Sequence, residues 1–209
     1  MEAVLAVYER PFDPRFPVVC MDEKPLQLLR DKNEPIAATA NHPKRLDHGY
    51  ERAGTASIFL FTEPKAGWRT THARARRTKV DWVQEVAHVI DHRYADCEKV
   101  VLVCDNLNTH TEGAFYEVFE PAKARKYVEK IEICYTPKHG SWLNIAECEL
   151  SALERQCLRG ERIASLELLN TQMSAWHENI NARQRGVDWQ FTINDARTKL
   201  KSLYPQILY

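Results

Sequence analysis

Asp22 closes the apolar run FPVVCM and Asp105 closes the run VVLVC, so two carboxylates stand at the ends of what read as two strands. A third acid, Glu147, lies in the first turns of a late helical stretch, with Glu149 and Glu154 close behind it. Strand ends in an open α/β sheet face a common crevice, which lets Asp22 and Asp105 approach each other although they are remote in sequence. Crowded carboxylates repel one another, and at least one pKa rises unless a cation intervenes. Magnesium meets that need with hard oxygen ligands while keeping positions for water or phosphate oxygens. Two such ions about 4 Å apart can activate an attacking oxygen and stabilise a leaving one in an in-line phosphoryl displacement. The chemistry this set points to is the cutting or joining of nucleic-acid backbones.

Each acid taken singly also has a plain structural reading. Asp105 and Asn106 can end a strand and start a turn by bonding their own backbone. Glu147 lies roughly 40° from Leu143 and 60° from Leu150 around a helix, at the edge of a core-facing stripe that also holds Ala146, Leu153 and Cys157. Glu149 borders the other flank of that stripe and Glu154 sits within it. Periodicity does not choose among the three, and a solvated acidic face accounts for all of them.

The elements that must position these residues follow from pattern. Residues 1–17 are broken by proline after Tyr8 and read as a lead-in segment. FPVVCMDEKPLQLLR reads as two strands, with Asp22 near the end of the first. Residues 31–54 show no firm period and read as a long loop or a pair of irregular extensions. TASIFLFTEP (55–64) is β-branched and aromatic, and fits a third strand. TKVDWVQEVAHVIDHRY has Thr78 and Asp81 at capping-box spacing and apolar residues at helical spacing. EKVVLVCD (98–105) is apolar on both faces, as befits the centre of a covered sheet. A short helix over 111–119 and a fifth strand over 130–137 come next. Ser141 reads as the N-cap of a helix running to about Arg159. Helices near 165–182 and 195–203, the last opened by Thr192, complete the chain. Three early strands followed by helix, strand, helix, strand and helices make a mixed five-stranded sheet flanked by helices with a helical C-terminal tail, the layout of a ribonuclease-H-like α/β fold. Residues 18–160 are its core, and 161–209 are a helical extension of the same domain.

Composition narrows the function classes. At 209 residues, 44% apolar and 28% charged, the sequence reads as one globular domain. No apolar run approaches the ~20 residues of a membrane span and no basic-then-apolar leader opens the chain, so a cytoplasmic location is expected. The six cysteines form no C-x-x-C pair and several sit in apolar runs, which argues against a zinc knuckle. His88 and His92 are four apart on a helix, but no third ligand is near in sequence, and a solvated face is the expectation. With 29 basic and 29 acidic residues the net charge is zero, so composition announces no nucleic-acid partner. Basic residues do cluster at 68–79 and 123–130, where they form either a phosphate-facing surface or an ordinary solvated one.

The stretches MDEKP (21–25), LDHGYERAGTASIFLF (46–61), RRTKVDW (76–82), CDNLNTHT (104–111), YTPKHGSWLNIAECELSAL (135–153) and DARTKLKSLYP (195–205) carry a family likeness. Over nearly the whole chain and in the right order, the sequence resembles the catalytic domain of insertion-sequence transposases of the IS630 group, bacterial relatives of the Tc1/mariner transposases. The resemblance implies a DDE-type DNA transposase with Asp22, Asp105 and Glu147 as catalytic acids and metal ligands. NIAE, matching the family's final motif, selects Glu147 over Glu149. The implied cofactor is Mg2+, with Mn2+ as substitute, as a pair of ions. The implied partners are DNA, both transposon ends and target, and a second copy of the chain on that DNA. Asn106, Asn108 and His110 then shape the loop beside Asp105. Lys24, Arg76, Arg77, Lys79, Lys138 and His139 are candidate phosphate contacts, each also readable as ordinary surface. Trp142 either stacks on an unpaired base or packs against the sheet, and packing is favoured.

Two departures from the family pattern stand out. The 41 residues between Asp105 and Glu147 exceed the spacing of many relatives, and the surplus falls in the helical segment 111–130. Full-length relatives also carry an N-terminal helix-turn-helix region that this sequence lacks, so weak sequence-specific end binding is expected. Two other readings remain: a ribonuclease-H-like nuclease that only hydrolyses, and a catalytically silent remnant acting as a DNA-binding or interaction module.

Overall fold

The computed structural model describes residues 1–204 apart from Pro35, Lys44 and Leu46. Residues 205–209 of the expected C-terminal extension lie outside the described residues. Five strands form one sheet in the order β3-β2-β1-β4-β5, with β1 at Val18–Asp31, β2 at Tyr50–Glu63, β3 at Trp68–Arg74, β4 at Val100–Cys104 and β5 at Ile131–Tyr135. The first three meander antiparallel, and β4 and β5 add parallel to β1. A parallel pair needs a crossover. Helix α2 (Lys79–Arg93) supplies it before β4; α3 (Gly113–Val118) and α4 (Pro121–Lys130) supply it before β5. Pro121 at the first turn fits α4, where its missing N–H costs nothing.

This is the mixed, helix-flanked sheet of a ribonuclease-H-like fold, as expected, but two strands are drawn differently. The expected pair over FPVVCMDEKPLQLLR is one 14-residue strand running through Pro25. Proline is tolerated there because β4 pairs with β1 only at Val18–Cys20, leaving one edge of β1 without a strand at Pro25. The further strand, β3, lies inside the basic cluster at 68–79. Its inward positions are Arg69, Thr71 and Ala73, an alternation with little apolar signal.

Strand alternation divides the core into two layers. Cys20, Val101 and Val103 face a layer built with α1 (Glu2–Glu9), α5 (Ile145–Leu153), α6 (Leu166–Asn181) and α7 (Ile193–Lys199). Val19, Met21, Leu102 and Cys104 face α2, α3 and α4. The expected lead-in segment therefore begins as a helix whose Val4, Leu5, Val7 and Tyr8 are buried. Helix α6 also closes the free edge of β3. Asn170 bonds both the N–H and the carbonyl of Ala73 (2.7 and 3.1 Å), and Asn181 does the same for Arg69 (2.9 and 2.7 Å). Covering an edge strand in this way removes a template for pairing with another chain.

Local signals set most helix starts. Thr78 and Asp81 form the expected capping box of α2, Ser165 caps α6, and Thr192 with Asp195 caps α7. Ser141 does not cap α5. It opens a single 3-10 turn to Leu143, and Asn144 becomes the N-cap, with its side-chain oxygen 3.1 Å from the Ala146 N–H. Among the described residues no helix is long and apolar enough to cross a membrane.

Candidate catalytic site

The first two acids are close enough for the charge of Asp105 to raise the Asp22 pKa. Parallel pairing matches Val18 with Val101, Val19 with Leu102 and Cys20 with Val103 and ends there; carried two residues further, the same register would set Asp22 opposite Asp105. Neighbouring strands lie about 4.8 Å apart; alternation turns Asp22 toward the face that α5 covers, whereas Asp105, one residue past the end of β4, meets His110 on the α2 side. The third acid arrives through Asn144. Its Nδ2 donates to the Met21 carbonyl at 2.8 Å, next to Asp22, while its own carbonyl accepts the Glu147 N–H at 3.1 Å. One buried side chain thus ties the start of α5 to the strand that carries the first acid. Asn144→Ala removes the cap and strands the Met21 carbonyl, and is expected to cost about 1–2 kcal/mol in a urea melt.

Asp22 is half-buried. Burial, opposed by a 2.8 Å hydrogen bond from the Glu23 N–H and reinforced by the charges of Asp105, Glu147 and Glu23, pushes its pKa up to about 6 from 3.8. The folded chain then binds this proton more tightly than the unfolded one. Its destabilising effect accumulates as pH rises from about 4 to 6 and is complete above that. Asp22→Asn is therefore expected to raise metal-free stability at pH 7 by about 3 kcal/mol, with no gain below pH 4. Urea melts at the two pH values measure it.

The three late glutamates, equivalent by periodicity, differ in their partners. Glu149 is held by the buried Arg69, with Nε 2.8 Å from Oε2. Glu154 pairs with Lys24. Among the described residues neither Glu147 nor Asp22 has an ion-pair partner.

Asp105 lies against His110, whose Nδ1 is 2.7 Å from its Oδ1. On the other side of the ring, Nε2 is 3.1 Å from Glu23 Oε1. Burial opposes charge on His110, yet hydrogen bonds with Asp105, Cys104 and Glu23 outweigh it and push the pKa up to about 11. Glu23 and Trp82, on which the imidazole stacks, were not singled out from sequence. Alternation was the available signal: Val19, Met21 and Glu23 share one face, so Glu23 follows the apolar layer inward.

The remaining candidates scatter. Lys24 and Lys79 are engaged in ion pairs with Glu154 and Glu117. Arg76 and Arg77 are exposed between β3 and α2, and Arg77 lines a cavity of about 310 Å³ with Glu23, Asn106 and Asn108. Lys138 and His139 are exposed in the turn after β5, where His139 adopts a left-handed φ of 61°. Trp142 is 42% exposed and meets Phe191 edge-on at 5.6 Å, so its partner is the C-terminal segment and not the sheet. Of the basic cluster at 68–79, Arg69 and Arg74 are spent on Glu149 and Glu85 inside the fold. His88 and His92 lie exposed on α2, their ring centroids 4.0 Å apart.

The donor chemistry of Asp22, Asp105 and Glu147 suits a hard divalent cation: all oxygen, mutually repelling, two of the three without a basic partner. Among the described residues, however, no three His, Cys, Asp or Glu side chains stand in a metal-holding arrangement. The charges of Asp105 and Glu147 both act on Asp22.

The sequence profile of the DDE superfamily endonucleases matches residues 17–170, most of the chain. The chain belongs to the DDE superfamily of endonucleases. Its fold is similar to that of the Mos1 mariner paired-end complex with Mn (TM-score 0.55, 16% identity, 88% of this chain and 55% of that one). It is similar also to the Mos1 transposase paired-end complex with left transposon end (TM-score 0.56, 16% identity, 88% and 55%) and to the Mos1 strand transfer complex (TM-score 0.55, 14% identity, 88% and 55%). The chain spans just over half the length of these Mos1 chains. No curated protein matches the sequence.

Proposed function

We propose that the chain is the catalytic domain of a DDE-type DNA transposase, in which Asp22, Asp105 and Glu147 hold two Mg2+ ions, replaceable by Mn2+. The reading is supported by the membership of the chain in the DDE superfamily, by the charges of Asp105 and Glu147 acting on Asp22, and by the Asn144 tie between the start of α5 and the strand that carries Asp22. Bound ions would supply Lewis-acid activation of the attacking oxygen and stabilisation of the leaving one. The chain's own part is to hold the acids, exclude other partners from them and position DNA; little covalent work falls on side chains. Arg76, Arg77, Lys138 and His139 are exposed and available to phosphates; Lys24, Lys79 and Trp142 would first have to leave their present contacts. Transposon ends and target DNA are the substrates, a second copy of the chain joins on DNA, and the setting is the bacterial cytoplasm. Residues 18–160 act as the core, with 1–17 and the described part of the C-terminal extension, 161–204, packed onto it as one domain. Complexes of Mos1 with Mn and with a transposon end support this reading by analogy of fold. A strand-transfer assay with a pre-cut 3′ end tests it: joining to a second duplex in Mg2+ is expected, and hydrolysis without joining would contradict it.

A further inference from the structure

His110 is more tightly held than a loop residue needs to be. Its side chain is 1% exposed, and its ring stacks on Trp82 with centroids 5.1 Å apart and 23° between planes. Its N–H donates to the Leu107 carbonyl at 3.0 Å, and its carbonyl accepts the Tyr135 hydroxyl at 2.6 Å. Ring and backbone are therefore fixed together. Two carboxylates flank the ring: Asp105 Oδ1 forms an ion pair at 2.7 Å from Nδ1, which is also 3.2 Å from the Asp105 backbone carbonyl, and Glu23 Oε1 lies 3.1 Å from Nε2. Asp105 Oδ1 has no hydrogen-bond partner beyond this ion pair. Glu23 itself is 3% exposed, and its Oε2 is buried without a hydrogen-bond partner. A buried carboxylate with one oxygen unmet is a costly way to fill a layer that Val19 and Met21 fill with apolar side chains. Packing alone does not account for it; a need to hold the imidazole does.

We propose that His110, anchored by Glu23 and Trp82, is a positioning residue: it grips one oxygen of Asp105 and presents the other to a divalent cation. The inference rests on the metal-site reading above. Partners of this kind, one bond removed from a metal ligand, typically change metal affinity by about 10–100-fold when altered. The two ring contacts are separable. Glutamine at 110 places an amide near the Nε2 position and keeps the Glu23 contact alone, whereas asparagine places one near Nδ1 and restores the grip on Asp105.

The experiment is a calorimetric Mn2+ titration of the full chain as wild type, His110→Gln and His110→Asn, with melting temperatures recorded in parallel. His110→Gln is expected to weaken Mn2+ binding about 10–100-fold, and His110→Asn to recover most of the loss. Equal affinity in wild type and His110→Gln would overturn the positioning role and leave the metal site standing. A wild type that binds no Mn2+ would overturn both. If the variants melt early, 15N-histidine spectra of the wild type decide the matter: the Nδ1 signal of His110 is expected to move on Mg2+ titration, and a signal that stays fixed while Mg2+ binds overturns the proposal.

Discussion

Asp105→Asn is expected to lower divalent-dependent cleavage of transposon-end DNA by at least ~10³-fold, since a carboxylate ligand worth about 4 kcal/mol to the transition state is lost. The fold should survive. Asparagine is nearly isosteric, the backbone carbonyl at 105 still meets His110 Nδ1, and removing a charge relieves Asp22, whose pKa the Asp105 charge helps to raise. The same reasoning separates the late glutamates. Glu147→Gln should abolish cleavage with no loss of stability, because no basic group among the described residues depends on Glu147. Glu149→Gln should act in the opposite sense, since it takes the carboxylate from Arg69, a guanidinium only 2% exposed. Leaving such a charge unpaired typically costs about 3–5 kcal/mol. Plasmid nicking and thermal melts on the same preparations check all three variants.

Trp82→Ala is expected to cost about 3–5 kcal/mol of stability in a urea melt. Trp82 is fully buried on α2, stacked on His110 and edge-on to Phe115 at 5.6 Å. Its truncation opens a cavity at the centre of the layer that backs Asp105. Its indole N–H is buried without a partner, so Trp82→Phe forfeits no hydrogen bond and should cost distinctly less. If the alanine variant lost under 1 kcal/mol, the layer would not be rigid enough to fix His110.

How much of this was legible in the sequence depends on how local each cause is. The capping box of α2, the opening of α7 by Thr192 and the apolar run of β4 are local, and the sequence shows them. Asp22 and Asp105 stand out because each ends an apolar run, but the pairing of their strands, Val18–Cys20 with Val101–Val103, is a property of the fold. Strand β3 was missed because its inward alternation is carried by Arg69 and Thr71. The same arginine made the stretch look like a basic surface, when its charge is turned inward onto Glu149. Periodicity left Glu147, Glu149 and Glu154 equivalent, since what distinguishes them is Arg69 and Lys24 arriving from remote strands. Ser141 was taken for the cap of α5 from its type and place. Asn144 wins because it satisfies the helix and the Met21 carbonyl at once, and only the second of these requires the fold. Glu23 was overshadowed by its neighbour Asp22, although their opposite faces follow from strand alternation.

The most direct measurement is anomalous diffraction from a crystal of the chain soaked in Mn2+. Density for one or two ions bounded by Asp22, Asp105 and Glu147 is the expected result, with Asp105 still in contact with His110. Ordered Mn2+ elsewhere and none between these carboxylates, or the three acids on separate surfaces, would contradict the account.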